Sequence, residues 1–174
     1  MNEQDKLARF EQCIMPHMDA AYNLARWLAG SDADAQDVVQ EACLRAFKFF
    51  GGFRGGDGRS WLLRIVRNSF YDWLRKQRPG ELATPFDEEV HDAPTGSSAP
   101  DVALLEKADR EMLHEAIEAL PVEYREVLVM RELEGMAYKA IAEVADLPIG
   151  TVMSRLARAR EQLRQRLVER LQRG

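Results

Sequence analysis

Residues 79–100, PGELATPFDEEVHDAPTGSSAP, hold four of the chain's seven prolines and five acidic residues with no basic one. Large apolar side chains are few there, so the stretch cannot bury enough surface to offset the entropy of ordering it. It reads as a flexible acidic linker. The linker divides the 174-residue chain into two units, residues 1–78 and 101–174, each small for an independent core but feasible. As a loose coil its 22 residues average about 26 Å end to end, and stretched out they reach about 70 Å.

Both units read as all-α. Strand-like alternation is absent, and no Asn-Gly or Asp-Gly turn separates β-branched runs. Helices are expected over residues 3–14, from Pro16 to Leu28, and from a cap at Ser31 or Asp32 to Gly51-Gly52. In the last of these, Val38, Ala42, Leu44, Ala46 and Phe47 are expected to point inward. The segment GGFRGGDG reads as a mobile loop, and a strong amphipathic helix follows from Ser60 to about Gln77 with Leu62, Ile65, Val66 and Phe70 on one side. Further helices are expected near 102–119, 122–133, 137–144 and 149–172, punctuated by Pro121, Gly135 and Pro148.

The formal net charge of −5 conceals a pattern. Residues 53–78 and 149–174 each carry seven basic and two acidic groups, +5 apiece, whereas residues 101–148 carry five basic and twelve acidic, −7. Binding responds to the local field, because charges beyond about 8 Å are largely screened in cellular salt. Two basic segments set in acidic surroundings point to nucleic acid. No apolar run approaches the ~20 residues of a membrane span, and the polar start MNEQDKLARF is not a secretory signal. The expected location is therefore cytoplasmic, with no direct membrane insertion. Cys13 and Cys43 make neither a disulfide framework nor a zinc spacing.

The stretch AYKAIAEVADLPIGTVMSRLARAREQLRQRL carries the clearest motif. A short helix from Tyr138 meets the tight connection Ala145-Asp146-Leu147-Pro148, and a longer helix opens at Ile149-Gly150-Thr151. This is a helix-turn-helix layout, whose second helix enters the major groove. Val152, Leu156, Ala159, Leu163 and Leu167 form its packed stripe, and Thr151, Ser154, Arg155 and Arg158 lie rotated away from it. That second face bears hydroxyls and guanidiniums suited to phosphates and to guanine edges. A solvated amphipathic helix ending a bundle would look similar. The small residues Ala140, Ala142 and Ala145 favour the motif, since two helices crossing closely need small side chains.

The other basic segment, FRGGDGRSWLLRIVRNSFYDWLRKQR, mixes arginines with Phe53, Trp61, Phe70, Tyr71 and Trp73. Cations hold a phosphate backbone while rings and amides receive unstacked bases, and the glycines allow close approach to a strand. Core packing is the competing reading for Trp61 and Trp73. Asn68, a poor helix former in mid-helix, offers an amide that could read a base edge. The glycines follow no strand and lack GK[ST], so they are not a nucleotide cradle. Upstream, Asp34, Asp37, Gln40, Glu41 and Arg45 form a polar helix side opposite Val38 and Ala42.

Taken in series, DADAQDVVQEACLRAFKFF, GGFRGGDGRSWLLRIVRNSFYDWLRKQR and ALPVEYREVLVMRELEGMAYKAIAEVADLPIGTVMSRLARAR resemble the extracytoplasmic-function group of bacterial sigma-70 factors. The resemblance spans nearly all of both units, in the family's order. It implies a non-catalytic initiation factor without cofactor or metal, whose partners are core RNA polymerase, promoter DNA and an anti-sigma factor. Residues 1–78 would bind the clamp coiled coil of the largest polymerase subunit through Asp37, Gln40, Glu41 and Arg45. They would also read and melt the −10 element through Phe53, Arg54, Arg59, Ser60, Trp61, Arg64 and Asn68. Residues 101–174 would meet the flap of the second-largest subunit and read the −35 element through Thr151, Met153, Ser154, Arg155, Ala157 and Arg158. Some relatives carry arginine at the position of Met153 and an aromatic at that of Ala157, so their −35 preference does not transfer. Confining cations to two helices would also keep the free factor weak on DNA, where each phosphate contact releases a counterion.

Two other classes compete. An independent helix-turn-helix regulator would need a dimerisation surface and palindromic half-sites. A metal or redox protein would have to use Cys13 and His17, four residues apart, which lack further ligands in the sequence.

Overall fold

The computed structural model describes residues 2–82, 86 and 109–173. Among them every regular element is helical, as the absence of strand alternation predicts. The N-terminal unit is built from α1 (Glu3–Cys13), α2 (Met18–Ala29), α3 (Asp32–Lys48) and α4 (Gly58–Gln77). The described part of the C-terminal unit holds α5 (Arg110–Glu118), α6 (Val122–Leu128), α7 (Tyr138–Ala145) and α8 (Ile149–Arg173). Pro79–Leu82, which the sequence places at the start of the linker, form a short 3-10 turn. Apart from Phe86, residues 83–108 lie outside the described residues, and with them most of the expected linker and the first turns expected near residue 102. No described helix is long and apolar enough to cross a membrane.

Local chemistry sets most boundaries. Gly30, at φ +89°, closes α2 in the left-handed conformation that glycine adopts without cost. Ser31 then caps α3 by accepting a hydrogen bond from the Asp34 amide at 3.2 Å. Asp32 and Asp34 at the start of α3, with Arg45 and Lys48 at its end, complement the helix dipole. Helix α4 begins two residues before the expected Ser60, because Asp57 is its cap. The Asp57 carboxylate accepts from the Ser60 amide at 3.2 Å and from the Ser60 hydroxyl at 2.5 Å. The hydroxyl bond, above all, holds the Asp57 carboxyl below the usual carboxylate range.

Two expectations are corrected. The helix expected over 122–133 is α-helical only to Leu128 and continues as a π turn over Val129–Leu133. Gly135, at φ +64°, follows it, and the Met136 amide reaches back to the Met130 carbonyl at 3.0 Å. Leu44, expected inside, is 65% exposed. The buried residues of α3 are Ala35, Val38, Ala42 and Ala46, spaced three and four apart. Leu44 stands two residues beyond Ala42, about 200° around the helix, and so faces the other way.

One continuous apolar cluster runs through both units. Its N-terminal part centres on aromatic rings: Phe10 meets Phe47 and Phe50 edge-on, each at 5.4 Å, and Phe50 stacks on Phe53 at 5.7 Å. Its C-terminal part packs Tyr124, Met130, Met136 and Ile141 against Val152 and Leu156. The units meet where α4 lies along α7 and α2 lies against α6.

Candidate nucleic-acid interface

Helix α8 is held by its own module. Val152, Leu156, Ala159 and Leu167 are buried as its periodicity predicts. The turn before it passes through Asp146 at φ +55°, a left-handed position that a short polar side chain tolerates. Two arginines of the basic segment act as staples: Arg160 pairs with Glu132 at 2.6 Å and Arg170 with Glu115 at 2.6 Å. The outward face therefore carries less charge than the +5 of residues 149–174 implies. On it Met153 is 52% exposed, while Thr151, Ser154, Arg155, Ala157 and Arg158 are half-buried. The Ser154 hydroxyl donates to the Thr151 carbonyl at 3.1 Å, leaving its lone pairs to accept from elsewhere.

On α4, Trp61, Arg64 and Asn68 fall at i, i+3 and i+7 and share one stripe. Arg64 and Asn68 are exposed, as is Arg54 in the preceding loop. The Trp61 ring is half-buried, leaning on Phe53 at 5.2 Å and Phe50 at 6.1 Å. Two residues expected on the DNA-facing surface are not there. Phe53 is 5% exposed, its ring stacked into the N-terminal core. Ser60 is buried, its hydroxyl committed to Asp57. Both shape the loop and the start of α4 instead of facing outward.

The outer face of α3 brings together Asp37, Gln40, Glu41 and Lys48 with the outward-facing Leu44, and Phe49 is exposed at its end. Arg45 is fixed here by Glu41 at 3.0 Å and Asp72 at 2.8 Å. The result is a polar helix face with an apolar centre, the usual composition of a docking surface.

What lies between the units is not anticipated by the sequence motifs. The carboxylate of Glu126 on α6 has no solvent exposure and receives both arms of the Arg67 guanidinium from α4, at 2.9 and 3.2 Å. Arg67 also sits over the Tyr71 ring at 4.4 Å. Burial pushes the Glu126 carboxyl upward and Arg67 pulls it back. Burial, reinforced by the Glu126 charge, raises the Tyr71 phenol well above its ordinary range. Also joining the two units, Asn23 donates to Glu134 at 2.7 Å, and Arg59 donates to the Glu134 carbonyl at 3.1 Å. Phe86, from within the linker, packs edge-on against Tyr124 at 5.2 Å and under Arg155 at 5.1 Å. Two signals of this contact are present in the sequence: a carboxylate, Glu126, directly before the apolar run of residues 127–130, and the match between a +5 and a −7 segment.

Among the described residues no group of three or more His, Cys, Asp or Glu is placed to hold a metal ion. Residues 13–79 match the family described as Sigma-70 region 2, and residues 110–163 match Sigma-70, region 4. The RNA polymerase sigma-H factor of Pseudomonas aeruginosa is 38% identical, with 90% of this chain and 84% of that protein covered. The ECF RNA polymerase sigma-E factor of Escherichia coli is 36% identical over 74% of this chain and 71% of its own. The ECF RNA polymerase sigma factor SigE of Mycolicibacterium smegmatis is 30% identical over 96% of this chain, which spans only 65% of that relative's length. Among solved structures, the sigma factor RpoE bound to the anti-sigma factor NepR, from Bartonella quintana, superposes with a TM-score of 0.69. It is 26% identical, with 92% of this chain and 97% of that one covered.

Proposed function

Because this chain belongs to the sigma-70 family, in its extracytoplasmic-function group, we propose that it directs core RNA polymerase to one promoter class. Residues 1–78 bind the polymerase clamp and read and open the −10 element. Residues 101–174 meet the flap and read the −35 element. The observation that carries this reading is the presence, on separate units of one chain, of two helices with an outward polar or cationic face and an inward apolar one. On α8 the readers are Thr151, Met153, Ser154, Arg155, Ala157 and Arg158. On α4 and its loop they are Arg54, Arg59, Trp61, Arg64 and Asn68, with Phe53 and Ser60 supporting them from beneath. The protein performs no catalysis itself and works in the cytoplasm, where polymerase is. The neighbour bound to NepR supports an anti-sigma partner here too.

An independent helix-turn-helix regulator is less well supported, because Val152, Leu156, Ala159 and Leu167 of the apolar stripe of α8 are buried inside the fold. In vitro transcription with core polymerase on a randomised promoter library tests the proposal and returns both recognition sequences. Absence of any chain-dependent transcript would overturn it.

Two substitutions separate the roles. Leu44→Ser removes an exposed apolar side chain from the α3 face. It is expected to weaken core polymerase binding by about 1–2 kcal/mol and to leave the thermal midpoint unchanged, as titration and calorimetry together would show. Asn68→Ala is expected to relax preference at one −10 base by about 1 kcal/mol or more, with polymerase binding intact. Unchanged preference across a −10 substitution series would remove Asn68 from the readers.

A further inference from the structure

Seven large apolar side chains stand exposed among the described residues, and two of them, Ile149 at 49% and Met153 at 52%, lie on the first two turns of α8. Isolated exposed apolar residues are ordinary. These two are four positions apart and therefore adjacent on one side of the helix. The half-buried Ala157 continues their line, and its next step is Glu161, held by Arg164 at 2.6 Å. The apolar line thus spans only the part of the helix whose residues reach base edges in a helix-turn-helix. At about 100° per residue, Thr151, Arg155 and Arg158 run along the opposite flank, with Ser154 between the two. A helix lying in the major groove turns such flanks toward different strands. One flank here offers hydroxyl and guanidinium donors, and the other offers hydrocarbon and a thioether.

We propose that Ile149 and Met153 form an apolar reader for the 5-methyl group of thymine in the −35 element. This contact presupposes the promoter-reading function proposed above and names a base class that it leaves open. Of the four bases only thymine presents an apolar group to the major groove, where the others present donors and acceptors. A donor or acceptor set against this pair would lose water without gaining a partner, which is costly. A methyl group gains by the same loss. Ile149 is β-branched and holds one preferred rotamer in a helix, so its position is fixed before DNA arrives. Met153 is unbranched and adjusts to the gap that remains. The turn that presents the pair is anchored: Val152 and Leu156 are buried, and the Thr151 and Val152 amides donate to the Pro148 carbonyl at 3.0 and 3.1 Å.

Deoxyuridine lacks that methyl, matches thymidine otherwise, and still pairs with adenine. Core polymerase loaded with the full chain is titrated with duplexes carrying the −35 sequence returned by the promoter library. Each thymine on either strand is replaced in turn by deoxyuridine, and binding is read by fluorescence anisotropy. At one or two thymines the replacement is expected to weaken binding about fourfold, the worth of one methyl removed from water. With Ile149→Ala or Met153→Ala that difference is expected to shrink below about twofold, whereas Arg158→Ala keeps it. Both side chains are exposed, so the helicity and thermal midpoint of the two variants are expected to match those of the unmodified chain, and either variant alone is decisive. Insensitivity to every deoxyuridine overturns the proposal, as does a −35 element without any A·T pair, or a fourfold difference that survives both variants. Unaltered DNA binding with weakened attachment to core polymerase would assign the pair to a protein contact and equally overturn it. All these outcomes leave the promoter reading standing. A library without chain-dependent transcripts sinks that reading, and the thymine contact with it.

Discussion

Replacing Gly58 with alanine is expected to destabilise the N-terminal unit by about 2–3 kcal/mol, lowering its thermal midpoint by roughly 10 °C or more. A Cβ at this position would stand 2.5 Å from the Cys13 carbonyl oxygen and 3.4 Å from the His17 ring. The nearest atom is backbone at the end of α1, so no side-chain rotation relieves the clash. Either α1 or the first turn of α4 must shift, and both border the aromatic cluster of Phe10, Phe50 and Phe53. Gly51 is the control: nothing lies within 4 Å of a Cβ there, so Gly51→Ala is expected to be close to neutral. Calorimetry of the two variants separates a requirement for space from a general preference for glycine in this loop. Equal midpoints for both would refute the packing argument.

Arg158→Ala is expected to weaken −35 recognition by about 1–3 kcal/mol, or about 5- to 150-fold, if its guanidinium engages a guanine through two hydrogen bonds. The form of the loss is as informative as its size. A base contact produces relaxed preference at one position of the −35 element, whereas a phosphate contact weakens every sequence alike and reduces the salt slope by about one. Polymerase loaded with the variant and challenged with a set of single-base −35 substitutions distinguishes these outcomes. Arg160→Ala provides the contrast. Its side chain is paired with Glu132 inside the module, so the expected consequence is a small loss of stability with base preference retained.

Helix positions are legible in the sequence because apolar spacing and caps such as Ser31 and Gly30 act over only three or four residues. The helix-turn-helix is readable for the same reason: its stripe, its small residues and its turn are contiguous. The glycines of GGFRGGDG announce a special backbone but not its purpose. Their spacing suggests close approach of a DNA strand, whereas at Gly58 the close neighbour is the chain's own α1. Leu44 misleads because hydrophobicity alone suggests burial, against the three-and-four spacing that the alanines of α3 follow. The −10 set is only partly legible for a related reason. Aromatic Phe53 and hydroxyl-bearing Ser60 have chemistry suited to DNA, yet each finds a closer partner within the fold.

Short-range order, then, is written in residue order: which segments coil, where they stop, which stripe of each helix is apolar, and that charge is segregated along the chain. Those properties arise from atoms a few bonds or one helical turn apart. Tertiary structure alone decides which opposite charges meet. Arg67 and Glu126 are 59 positions apart, Arg59 and Glu134 are 75, and Asn23 and Glu134 are 111. A chain that long has countless ways to juxtapose an arginine and a glutamate, and only the packing of α4 along α7 and α2 against α6 selects among them. Desolvation then makes the selected pair matter, because a carboxylate excluded from water depends on the cations that reach it.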